Sequence, residues 1–149
     1  MFLPIAVFAN MLVAGPAFAP PQALPGACSL LTKEVALKVT SAANKQVFDL
    51  MPPVEEKLAT NGTSCDYGDI RIQVRTDVSQ QSPGDEYTAV PNLGDRAWFR
   101  ANRNRYAELR VSVGQRTLDI QMGVPSQGTV EQIKPKAIML ANELIPKLR

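Results

Sequence analysis

Six arginines, Arg96, Arg100, Arg103, Arg105, Arg110 and Arg116, fall in one short stretch with Trp98 and Tyr106 among them, opposed there by a single acid, Glu108. A guanidinium fork matches the paired oxygens of a carboxylate or phosphate, and an aromatic ring can stack on a ligand. In "RANRNRY", Arg100, Arg103 and Arg105 have no acid beside them in sequence. These three, with Trp98 and Tyr106, form a candidate contact for an anionic ligand or a partner protein. The competing reading is a solvated sheet face. There Arg71, Arg75 and Arg110 would pair across strands with Asp77, Glu108 and Asp119, and alternating charges are the commoner cover of a half-exposed sheet.

Two further groups could do chemistry. Asp66 and Asp69 in "CDYGD" are two carboxylates three apart, enough for a hard cation or for acid–base work only if other groups joined them. Without ligands spaced around them they read as a turn, and Glu55-Glu56 is a weaker version of the same pattern. Cys28 and Cys65 are the only cysteines, and the chain contains no histidine. Lack of histidine removes the commonest base near neutral pH, the His-activated nucleophiles and most zinc sites. No catalytic, metal or cofactor site is therefore expected.

The balance of 16 basic and 14 acidic residues gives a net charge of +2. That is too weak a surplus for a nucleic-acid partner, which needs a strongly basic stripe. A chain of 149 residues, 45% of them hydrophobic, suits one globular domain. Residues 1–27 carry no charge. "MFLPIAVFANMLVAGPAFA" reads as the apolar core of a signal peptide over 1–19, with cleavage near Ala17 or Ala19. Residues 20–27 then form a Pro-rich linker, and 28–149 the domain. Export would place both cysteines in an oxidising compartment, where they can pair. A lipid anchor at Cys28 is the competing use, but Pro25 stands where such a site wants a large aliphatic residue. A thiol nucleophile has no histidine to activate it.

The elements that must position these groups follow from periodicity. Thr32 caps a short helix whose stripe is Leu31, Val35 and Val39. Val47, Phe48 and Leu50 suggest a short strand that Pro52-Pro53 breaks. "IRIQVRTDV" alternates apolar and polar residues from Ile70 to Val78, as a strand with one wet face does. "VPNLGD" is a turn in which Pro91, Gly94 and Asp95 supply the geometry. It leads into a strand carrying Trp98 and Phe99 on opposite faces. Ala107, Leu109, Val111 and Val113 face Leu118, Ile120 and Met122 in a hairpin turned by Gly114-Gln115. "TVEQIKPKAIMLANELIPKLR" gives the longest helix, with a capping box at Thr129 and Gln132, Pro135 at the first helical position or kinking the first turns, and an end near Ile145. Together these give an α+β fold: a curved antiparallel sheet, a short N-terminal helix and a longer C-terminal helix on one face.

"CSLLTKEVA", "TSCDY", "VPNLGDRAWF" and the closing helix occur in an order that resembles a family of secreted bacterial domains, often lipoproteins, whose function is not established. The resemblance spans roughly residues 28–149. It implies a Cys28–Cys65 disulfide and a structural turn from Val90 to Asp95, and it implies no catalytic residues.

The function expected from these readings is a secreted or periplasmic, non-catalytic binding or sensor-like accessory domain of the envelope. The alternatives are a small carboxylate-dependent hydrolase acting on envelope glycans, and a protein inhibitor or structural envelope component.

Overall fold

The structure, a computed structural model, describes residues 23–40, 45–59, 61–76, 82–102, 105–125 and 128–149. The signal-peptide reading over 1–19, Asp77, Val78 and Arg103 lie outside the described residues.

Among the described residues four helices and seven strands follow one another. They are α1 (Ala27–Leu30), α2 (Lys33–Val39), α3 (Lys45–Leu50), β1 (Val54–Leu58), β2 (Gly62–Tyr67), β3 (Ile70–Arg75), β4 (Thr88–Ala89), β5 (Arg96–Asn102), β6 (Tyr106–Val113), β7 (Arg116–Gly123) and α4 (Val130–Leu144). A 3-10 turn over Ile145–Leu148 closes the chain. The strands form one antiparallel sheet in the order β1-β2-β3-β7-β6-β5-β4.

Alternation along each strand sorts the two faces. Cys65, Ile72, Ile120, Leu109 and Phe99 lie in one row across β2, β3, β7, β6 and β5. Val74, Leu118, Val111 and Ala97 form a parallel row. All of these side chains are buried, and they share a core with Leu30, Leu31, Val35 and Val39 from the N-terminal helices and with Ile133, Ala137, Leu140 and Leu144 of α4. The helices thus cover one face, as expected for an α+β sheet with period-two strands and 3.6-period helices.

The local signals act as read. Thr32 caps α2, its hydroxyl accepting the Val35 amide at 3.3 Å. The Gln132 side chain accepts the Thr129 amide at 3.1 Å and starts α4. Lys38 of α2 bridges Glu143 of α4 at 2.9 Å, which holds Glu143 below and Lys38 above their ordinary values, chiefly through that hydrogen bond. Pro146 ends the regular helix one residue earlier, at Leu144.

Three expectations are corrected. Val47–Leu50 is not a strand: residues 45–50 are helical, and the Met51 amide donates to the Val47 carbonyl at 3.0 Å. Only Phe48 of this segment is buried, edge-on to Tyr67 with ring centroids 4.7 Å apart, so nothing enforces alternation. Asp66 belongs to β2 and not to a turn. Pro135 sits in the sixth position of a continuous α4. Its missing amide costs the Glu131 carbonyl its partner, and Glu131 is exposed, so water can satisfy that carbonyl.

The disulfide joins Cys28 of α1 to Cys65 of β2. Its sulfur is therefore not free for a lipid. Two hydrogen bonds seat α1 beside it: the Ala27 amide donates to Thr63 Oγ1 at 2.9 Å and the Cys28 amide to Glu55 Oε2 at 2.7 Å.

Candidate functional site

The face that none of the described helices covers carries the polar half of each strand, and the register gives its pattern. Val54, Asp66, Arg71, Gln121, Glu108 and Arg100 form one row from β1 to β5. The next row is Glu56, Ser64, Gln73, Asp119, Arg110 and Trp98. Acid and base alternate across strands, which is the arrangement that favours cross-strand pairing.

The pairs form. Arg71 donates through Nε and Nη2 to the two oxygens of Asp66, at 2.6 and 2.7 Å. Asp119 accepts from Arg110 Nε at 2.5 Å and from Arg75 Nη2 at 2.7 Å. Its own side chain is 10% exposed, so the two guanidiniums neutralise a nearly buried carboxylate. Burial is the largest single influence on Arg110 and works against its charge, but the Asp119 bond and the attraction of Asp119, Tyr87 and Glu108 together outweigh it, and the net shift is upward. Arg100, which has no acid near it in sequence, is paired after all. It bonds Glu108 directly across the β5–β6 ladder at 2.6 Å and reaches Glu86 at 2.8 Å. Tyr87 donates its hydroxyl to Glu108 at 2.7 Å and lies under the Arg100 guanidinium, 4.8 Å from ring centroid to charge. Burial first, and then this bond to a carboxylate, raise the Tyr87 phenol above its ordinary value.

Two adjoining cavities open at the end of this face. One, of 350 Å³, is lined by Asp66, Asp69, Arg71, Arg105, Tyr106 and Gln121 among others. The other, of 210 Å³, shares Arg71, Tyr106 and Gln121 and extends over Gln73, Arg100 and Arg110. The strand order creates this juxtaposition. β7 lies between β3 and β6, so Gln121 separates Arg71 from the start of β6, where Arg105 and Tyr106 stand.

Of the residues singled out in the sequence, Arg105 lines the first cavity, Arg100 the second, and Tyr106 both. Trp98 lines neither. It is buried, lies outside the main core and pairs across strands with Arg110 and with Ala89. The 90–95 turn sits elsewhere and is structural: the Asp95 amide donates to the Ser112 carbonyl at 2.9 Å, and the Asp95 carboxylate accepts the Gly114 amide at 2.6 Å. Gln73 and Gln121 were not anticipated as site residues. Their only sequence signal was a place on the wet side of an alternating strand.

Asp66, Asp95 and Asp119 each hold a donor from this chain, so none stands as an isolated carboxylate. Among the described residues no three of His, Cys, Asp or Glu gather as metal ligands would. No helix among them is long and apolar enough to cross a membrane.

Compared with known proteins, the chain matches no family model, no curated protein and no solved structure.

Proposed function

We propose that this is an exported, non-catalytic binding domain of the envelope, of the secreted type its motifs resemble, and that it binds through the helix-free face of its sheet. The observation that carries the reading is the cleft of Arg71, Tyr106 and Gln121, which adjoins Arg100 and Arg105 on a face that none of the described helices covers. Arg71 and Arg100 are held by ion pairs with Asp66 and Glu108 before any ligand arrives, which lowers the ordering cost of binding. The disulfide supports export, because such bonds persist in oxidising compartments. A hydrolase would need two carboxylates facing each other across a cleft, and the pairing of Asp66 and Asp119 with arginine gives that reading no support.

The test is a covalent footprint of the chain with and without solubilised envelope. Protection is expected at Tyr106 and Arg105 and is lost in a Gln121→Arg variant of unchanged thermal stability. Protection confined to exposed sites on α2 and α4, or none at any site, would refute the assignment.

A further inference from the structure

We infer that the cleft takes a hydroxyl-bearing small molecule with one acid group, a sugar acid or sugar phosphate, and that Arg105 is the partner of that acid group. This rests on the reading of the helix-free face as the binding surface and names its ligand class. The two cavities are lined by four arginines, Arg71, Arg100, Arg105 and Arg110, and four carboxylates, Asp66, Asp69, Glu108 and Asp119. Arg71, Arg100 and Arg110 are each neutralised by an acid of this chain. Arg105 is exposed and forms no ion pair among the described residues. It is the one lining cation whose charge is not already matched there.

The donors around it are also in place. Asn102 Nδ2 donates to the Tyr106 hydroxyl oxygen at 2.6 Å, which leaves the hydroxyl proton for another acceptor. Arg71 meets Asp66 through Nε and Nη2, which leaves the two protons of Nη1 outside that pair, on a residue that lines both cavities. An anionic oxygen group between Arg105, Tyr106 and Arg71 would satisfy all three, and charge-assisted bonds of this kind are the strong ones. The side-chain amides of Gln73 and Gln121 make no hydrogen bond among the described residues, and each offers donors and an acceptor. Hydroxyl groups, which both donate and accept, complement them. Asp66 and Asp69 also line the first cavity and oppose a second acid group, so the cleft favours one over several.

The experiment titrates the ¹⁵N-labelled chain with D-glucuronate, D-glucose 6-phosphate, D-glucose and the diacid D-glucarate, reading the Gln121 side-chain amide and the arginine Nε–H signals. Saturable shifts are expected with glucuronate or glucose 6-phosphate, and the tighter of the two identifies carboxylate or phosphate as the acid group. D-glucose should bind at least about tenfold more weakly, since a hydrogen bond to a charged group is at stake, and glucarate no better than glucuronate. Arg105→Ala should weaken the charged ligand about tenfold or more at unchanged thermal stability, and Tyr106→Phe less. If D-glucose binds as tightly as glucuronate and Arg105→Ala changes nothing, the acid-group assignment falls while the binding face stands. If no probe shifts these signals, the ligand class is wrong, and the envelope footprint decides on the face independently.

Discussion

The disulfide offers the sharpest test of how this fold is held. Replacing the pair by Cys28→Ser with Cys65→Ala removes the cross-link without placing a hydroxyl in the fully buried Cys65 site. The bridge spans 37 residues of sequence. Chain entropy for a loop of that length predicts about 4 kcal/mol of stabilisation through the unfolded state. The native position of α1 does not depend on the bond alone, because the Ala27 and Cys28 amides are also held by Thr63 and Glu55. The variant should therefore keep its far-ultraviolet circular dichroism and lose stability. For a domain of about 120 residues with an unfolding entropy near 2.1 cal/mol/K per residue, the drop in Tm is about 15 °C. The assays are thermal melts of parent and variant, with a thiol count on the denatured, unreduced parent. Two reactive thiols in the parent would refute the pairing. A Tm loss below about 5 °C would refute the unfolded-state argument, which requires roughly three times as much.

Asp119→Asn should be among the costliest changes on the wet face, because it leaves the Arg110 and Arg75 guanidiniums without their shared carboxylate. Removing one member of a buried pair costs about 3–5 kcal/mol, and the partial exposure of both arginines discounts this to about 2–3 kcal/mol by urea denaturation; a loss under about 0.5 kcal/mol would deny Asp119 this role. Gly94→Ala and Gly114→Ala form a matched pair, since the two glycines have φ of +59° and +57°. An added Cβ at Gly94 meets Val111 Cγ1 at 2.5 Å and the Ser112 carbonyl at 2.7 Å, whereas at Gly114 it meets open space. The first variant should lose about 3 kcal/mol and the second about 1 kcal/mol, and equal losses would mean that only the backbone angle matters.

What the sequence reveals of this fold depends on how far apart the deciding contacts lie. β3, β6 and β7 are legible because each strand has one dry face, and alternation is then written directly into the chain. α4 is legible because Val130, Ile133, Ala137, Leu140 and Leu144 keep helical spacing against the sheet. The α3 segment buries one side chain in six residues, so Val47-Phe48-Asp49-Leu50 carries no periodicity to read. Arg100 looks acid-free in the sequence because its partners arrive through the sheet: Glu108 from the facing strand and Glu86 from the segment before β4.

The cleft itself follows from one topological fact that local pattern does not encode. After β3 the chain departs to β4 at the far edge and returns through β5 and β6, and β7 then fills the space beside β3. That return sets Gln121 beside Arg71, fifty residues earlier, and brings the start of β6 to the same end of the sheet. The arginines along the middle of the face meet acids on neighbouring strands, as alternation across a ladder requires. Arg105 precedes the first paired residue of β6, so among the described residues no facing strand supplies it with an acid. A charge left unmatched by sheet register therefore falls at the end of the ladder, where the wall of Arg71, Tyr106 and Gln121 is already built, and it is there that a ligand's own charge can complete the pattern.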